Sequence, residues 1–140
     1  MPTQDTDPQL RIDALSATLR RTELQRSASS IPGREIVQVL TEIPVGVSSG
    51  WHTHPGEEVG YIVDGTVQMR IQGRPTLILE AGDPFLIPPG TPHDALDLGP
   101  GTGRMLSTYI VEVGLPLATL VDGPPLPPPA VARAGDPGGQ

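Results

Sequence analysis

The chain contains no cysteine, no lysine and no asparagine among its 140 residues. Without cysteine there is no disulfide framework, no thiolate metal site and no thiol nucleophile, and the redox compartment is left open. Without lysine, nine arginines face 16 carboxylates, for a net charge of −7 and a pI near 4.7. Such a chain is a poor electrostatic match for nucleic acid or an anionic membrane. No apolar run approaches the roughly 18 residues that a membrane-spanning helix requires. The opening MPTQDTDPQL is acidic and polar. It lacks the basic stretch and apolar core of a secretory signal, so the expected location is the cytoplasm. Hydrophobic residues are also scarce, at 36%, whereas there are 17 glycines and 18 prolines. That balance fits either disorder or a β-rich fold with many turns.

What is present favours the second. From Arg34 onward, short apolar runs alternate with turn residues. REIVQVLTEI (34–43) is β-branched and apolar, EVGYIV (58–63) reads as a second strand, and Asp64–Gly65 is a hairpin signal. TVQMRIQ (66–72) alternates, with Val67, Met69 and Ile71 on one face. TLILE, PFLIP and RMLSTYIVEV follow between turns. Many short strands separated by turn signals predict an antiparallel sandwich or barrel. The organisation expected is an N-terminal segment over 1–26, a barrel over 27–121 and a disordered Pro/Gly-rich tail over 122–140. In the first of these, residues 1–10 read as disordered. Ile12, Leu15 and Leu19 have helical spacing, but TLRRTEL would equally serve as an edge strand. Leu115–Val121 is apolar enough to dock on the barrel or on a partner chain. PPLPPP (124–129) reads as a solvated extended tail, the alternative being a ligand for a domain that reads polyproline helices.

The three histidines occupy two places. His52 and His54 lie in GWHTHPGEE, and His93 follows IPPGTP. On an extended chain residues i and i+2 share a face, so His52 and His54 project together. Glu57 and Glu58 lie on opposite faces, and only one of them can look toward the imidazoles. Imidazole with carboxylate suits a divalent first-row metal. A lone His-x-His pair is also a common surface feature, and the wider spacing has to decide between the two.

That spacing resembles the cupin family. Gly46, five residues, His52, one residue, His54, three residues, Glu58, six residues and Gly65 match the first cupin motif. Gly82, five residues, Pro88, one residue, Gly90, two residues and His93 match the second, and the intervening 16 residues are typical of small single-domain members. The likeness covers roughly residues 34–113. It departs at Asp97, where the second motif usually ends in asparagine, a residue that supports structure in the family. The resemblance implies an all-β antiparallel jelly-roll barrel. It also implies that His52, His54, Glu58 and His93 hold one divalent metal ion (Fe, Mn, Ni, Cu or Zn), leaving two positions for water or substrate. Glu57 then faces away.

With all three histidines on the metal, catalysis would run through the ion, through Glu58 shifting between ligand and base, or through an acid such as Tyr109. Small cupins with three histidines and one glutamate are often dioxygenases, so the resemblance implies a metal-dependent enzyme acting on a small, fairly apolar molecule. An isomerase or lyase is the enzymatic alternative, and a non-catalytic binding or sensing cupin is the other. Ile36, Val67, Met69, Phe85, Leu86 and Met105 are the expected pocket walls, though each also reads as plain core. Few charged groups are expected inside. Trp51 reads as core or dimer interface, and a homodimer is expected.

Overall fold

The computed structural model describes residues 13–123 and the backbone of a short strand at 131–133. A 3-10 turn, Ala14–Ala17, precedes strands β1 (Arg20–Ala28), β2 (Arg34–Ile43), β3 (His52–Thr53), β4 (Gly56–Ile71) and β5 (Thr76–Glu80). They are followed by β6 (Pro84–Ile87), β7 (His93–Glu112), β8 (Thr119–Leu120) and β9 (Val131–Arg133). The alternation legible in the sequence is what buries one face of each strand. In β2, Val37, Val39, Thr41 and Ile43 are buried while their neighbours look outward.

The axis of the molecule is the β4–β7 pair, antiparallel from Gly56↔Val111 to Ile71↔His93. Inward residues of β4 are even-numbered from Gly56 to Ile62 and odd-numbered from Val67 to Ile71. The phase changes between them, where the register with β7 shifts repeatedly. This corrects the hairpin expected at Asp64–Gly65. Both halves of β4 pair with β7 instead of with each other, and the extra residue bends the ribbon. Gly65 does take the expected left-handed conformation, φ +87°. A Cβ there would also stand 3.0 Å from the Gly103 Cα, so glycine is required at the bend by close approach as well.

Beyond the bend the ribbon takes new neighbours within the same nine-stranded sheet. Its first half lies beside β2 and β6, its second beside β3 and β5, and the sheet curls into an antiparallel jelly-roll barrel. Asp97 braces the same bend. Its carboxylate accepts the N–H groups of Gly99 (3.0 Å) and Gly103 (3.1 Å), and its carbonyl accepts that of Gly46 (2.9 Å). The acid standing where asparagine was expected therefore does structural work.

Both readings of the N-terminal stretch are realised in succession. Asp13 caps the 3-10 turn by accepting the Leu15 N–H, and β1 then pairs along β2, across the boundary placed at residue 26. Leu15 and Leu19 are buried in the main core cluster with Ile43, Ile62, Met69 and Ile87. At the other end, Leu117 and Ala118 are buried and β8 pairs with β3, so segment 115–121 docks on its own barrel. β9 lies parallel to β5, within the stretch that composition assigned to the tail. An unpaired strand edge accepts such an addition through backbone groups alone, which composition does not encode. Residues 1–12 and the PPLPPP run lie outside the described residues.

Candidate metal centre

β3 is only two residues long, but it sets His52 directly opposite His93 on β7. His54 follows on the same face, and all three imidazoles are buried. Ring centroids stand 4.1 Å apart for His52–His93, 4.9 Å for His52–His54 and 5.0 Å for His54–His93. One nitrogen from each ring lies within 4.8 Å of the others.

The opposite nitrogens are all engaged. Nδ1 of His52 faces the Gly50 carbonyl at 2.7 Å, that of His54 the Leu117 carbonyl at 2.7 Å and that of His93 the Thr91 carbonyl at 2.9 Å. A carbonyl only accepts, so each Nδ1 carries a proton and donates it. Nε2 of a neutral ring is then a lone pair, the tautomer that a metal-ligating histidine needs. Burial, then the neighbouring imidazoles of His93 and His54, push the His52 pKa down to about 2. Its ligating lone pair is therefore present at any ordinary pH.

Glu58 is buried on β4 and Glu57 is exposed, as strand parity requires. Oε1 of Glu58 lies 3.1 Å from His93 Nε2 and 3.2 Å from His54 Nε2. Oε2 accepts from Ser107 Oγ (2.7 Å) and the Tyr109 hydroxyl (3.2 Å). His54 Nε2, although close to Oε1, makes no hydrogen bond. A buried polar nitrogen without a partner is costly. Lone pairs of two imidazoles and a carboxylate oxygen meeting at one point favour a cation there, and nitrogen–oxygen donors suit a divalent transition metal. The residues present fit such an ion.

Behind Glu58 lies a group that the sequence reading missed. Arg21, on β1, is buried. It donates to Thr41 Oγ1 (2.8 Å) and to the Tyr109 hydroxyl (3.0 Å), and it pairs with the buried Asp13. The expectation of few inward charges is corrected by this pair, which is tolerated because the two charges neutralise each other. Tyr109 stays protonated, its pKa pushed up chiefly by burial, against the opposing pull of Arg21. Ser107 and Tyr109 were accessible from the alternation of β7, whose odd-numbered residues face inward. Arg21 carried no such signal in TLRRTEL.

The cavity beside the histidines is lined on its apolar side by Leu15, Leu19, Met69, Ala95 and Met105. The room left for a guest is about 10 Å³, the space of one water molecule. Met69 and Met105 thus line the site as expected, while Val67 and Phe85 belong to the core. Ile36 and Leu86 are corrected: both are exposed, because Val37 and Ile87 take the inward phase of their strands. Trp51 is half-buried, with the Arg70 guanidinium 5.0 Å from its ring and the chain at Gly123 packed against it.

The profile of the family described as "Cupin domain" matches residues 39–109. Among curated proteins none matches the sequence. Among solved structures, a predicted oxalate decarboxylase from Thermotoga maritima is 24% identical, with a TM-score of 0.56 over 66% of this chain and 80% of that one. The DMSP lyase DddQ from Ruegeria pomeroyi is also 24% identical, with a TM-score of 0.56 over 61% of this chain but only 42% of its own. An oxalate oxidase in complex with glycolate is 22% identical, with a TM-score of 0.57 over 74% of this chain and 55% of that one. Likeness at these identities carries the fold alone. No helix among the described residues is long and apolar enough to cross a membrane.

Proposed function

The chain belongs to the cupin family, and on that footing we propose that it is a mononuclear metalloenzyme acting on a small, fairly apolar organic molecule in a dioxygenase-like reaction. His52, His54, His93 and Oε1 of Glu58 are the ligands, and the ion is Fe, Mn, Ni, Cu or Zn. The observation that carries this reading is the shared polarity of the three rings. Every Nδ1 is tied to a backbone carbonyl, and the remaining nitrogens meet beside a carboxylate oxygen. When bound, the ion would supply Lewis acidity and, if redox-active, one-electron chemistry toward the substrate and O₂.

The chain's own residues do the rest. Met69, Ala95 and Met105 keep the cavity apolar, and Ser107 and Tyr109 hold Glu58 in place. The room beside the histidines is that of one water molecule, so an organic substrate needs lining side chains such as Leu15 and Leu19 to give way. Tyr109 favours a second reading, a lyase or isomerase. Its hydroxyl is a buried proton donor beside the site, and one fold neighbour is a DMSP lyase. We also propose a homodimer. Val59 and Leu86, partners on adjacent strands, and nearby Tyr61 are exposed together on the outer sheet face.

Elemental analysis of the purified protein tests the metal reading. About one equivalent per chain is expected, lost in His52→Ala and His93→Ala, and full retention of metal in both variants would sink it. Oxygen uptake with flavonols, diketones and thiols, against product formation without oxygen, separates the two enzymatic readings. Light scattering decides the dimer.

A further inference from the structure

We propose that Arg21 is a positioning residue of the metal site, acting through Tyr109 to leave Glu58 a single oxygen with which to ligate. The inference rests on the metal reading above. A guanidinium only donates hydrogen bonds. Its Nη1, 3.0 Å from the Tyr109 oxygen, therefore makes that oxygen an acceptor. The one phenolic proton must then point elsewhere, and the acceptor in reach is Oε2 of Glu58 at 3.2 Å. Ser107 supplies the same oxygen with a second donor at 2.7 Å. With Oε2 occupied twice, Oε1 is the oxygen left to face His54 and His93.

The direction of the relay is thus set by donor and acceptor chemistry, from Arg21 to Tyr109 to Glu58. The guanidinium is itself held on its other edges. Asp13 takes Nε (3.3 Å) and Nη2, and Thr41 takes Nη1 at 2.8 Å. A plain staple for the N-terminal segment would need Asp13 alone. The bonds to Thr41 and Tyr109 aim the group at the site, and its charge polarises the phenol toward donation. Without it, the tyrosine hydroxyl is free to turn away, and Ser107 alone is left to hold Oε2.

The test uses the full chain loaded with Co(II), whose visible absorption reports ligand number and geometry. Three variants are compared: Tyr109→Phe; Arg21→Lys, which keeps a donor; and Asp13→Asn with Arg21→Met, which leaves no unpaired charge buried. All are expected to take up about one equivalent. Tyr109→Phe and the double variant should show the same altered spectrum and lose Co(II) to EDTA about tenfold faster. Arg21→Lys should return both readouts toward wild type. Combining the double variant with Tyr109→Phe should add nothing, since both break one relay. A wild-type spectrum in the double variant, or effects that add, would overturn the proposal and reduce Arg21 to a staple. Should the double variant not fold, Tyr109→Phe decides, because an unchanged spectrum there removes the relay itself. Wild-type protein that takes up no Co(II) would overturn the metal reading first, and this inference with it.

Discussion

Replacing Glu58 by glutamine should move the stability of the metal-free and metal-loaded protein in opposite directions. The substitution preserves volume in a fully buried place. In the metal-free chain, Oε1 faces two Nε2 atoms at 3.1 and 3.2 Å. An amide nitrogen there offers two N–H donors to two ring lone pairs, for about 1 kcal/mol each. It also removes a buried charge, which is costly to desolvate. Against this, the bonds from Ser107 and Tyr109 to Oε2 lose their charge assistance, at about 1 kcal/mol each. The balance is a gain of roughly 1–3 kcal/mol, or several degrees in Tm for a domain of this size. With metal the same N–H groups point at the ion. Affinity should fall about 100-fold, removing about 2.7 kcal/mol of ligand-linked stability. Calorimetry at pH 8.5, in EDTA and in saturating Zn²⁺, reads both. A variant that melts lower in EDTA, with the zinc-induced shift intact, would show that ring protons hold Glu58 and that no ion belongs there.

Two further outcomes test the frame around the site. A Cβ at Gly60 would stand 2.1 Å from the Phe85 ring, so Gly60→Ala should cost about 1–3 kcal/mol in urea unfolding. Phe85→Leu should recover part of that loss, and a neutral Gly60→Ala would mean the ring is not seated there. Tyr109 tests the buried relay by pH in metal-free protein. Its folded pKa is raised above the unfolded value near 10. The phenol therefore contributes stability that is complete below the unfolded pKa and is lost as pH rises beyond it, at up to about 1.4 kcal/mol per pH unit. Tyr109→Phe should flatten that decline between pH 9 and 11, and an identical decline in both proteins would refute the assignment.

Strand parity made much of this legible in advance. It distinguished Glu58 from Glu57 once the motif was aligned, and it placed His52 with His54 and Met69 with Val67. Parity is a property of neighbouring residues, so it fails wherever the phase slips. The bend of β4 was read as a hairpin because Asp64–Gly65 has the composition of a two-residue turn. Only the pairing partner, β7, reveals that the strand continues. Ile36 and Leu86 were misplaced for a related reason, since runs such as EIVQV and PFLIP carry apolar residues in both phases. Arg21 and the Leu117 carbonyl were invisible for another. One is the second of two adjacent arginines and the other a backbone atom, and neither has a side-chain pattern to announce it.

The hydrogen bond from His54 to Leu117 has a consequence for how the protein is made. A chain leaving the ribosome presents His52, His54, Glu58 and then His93 well before Leu117 is joined to it. Until that oxygen docks, the middle imidazole can turn either nitrogen outward. The inward lone pair of His54 is therefore fixed only when two points 63 residues apart along the chain have met.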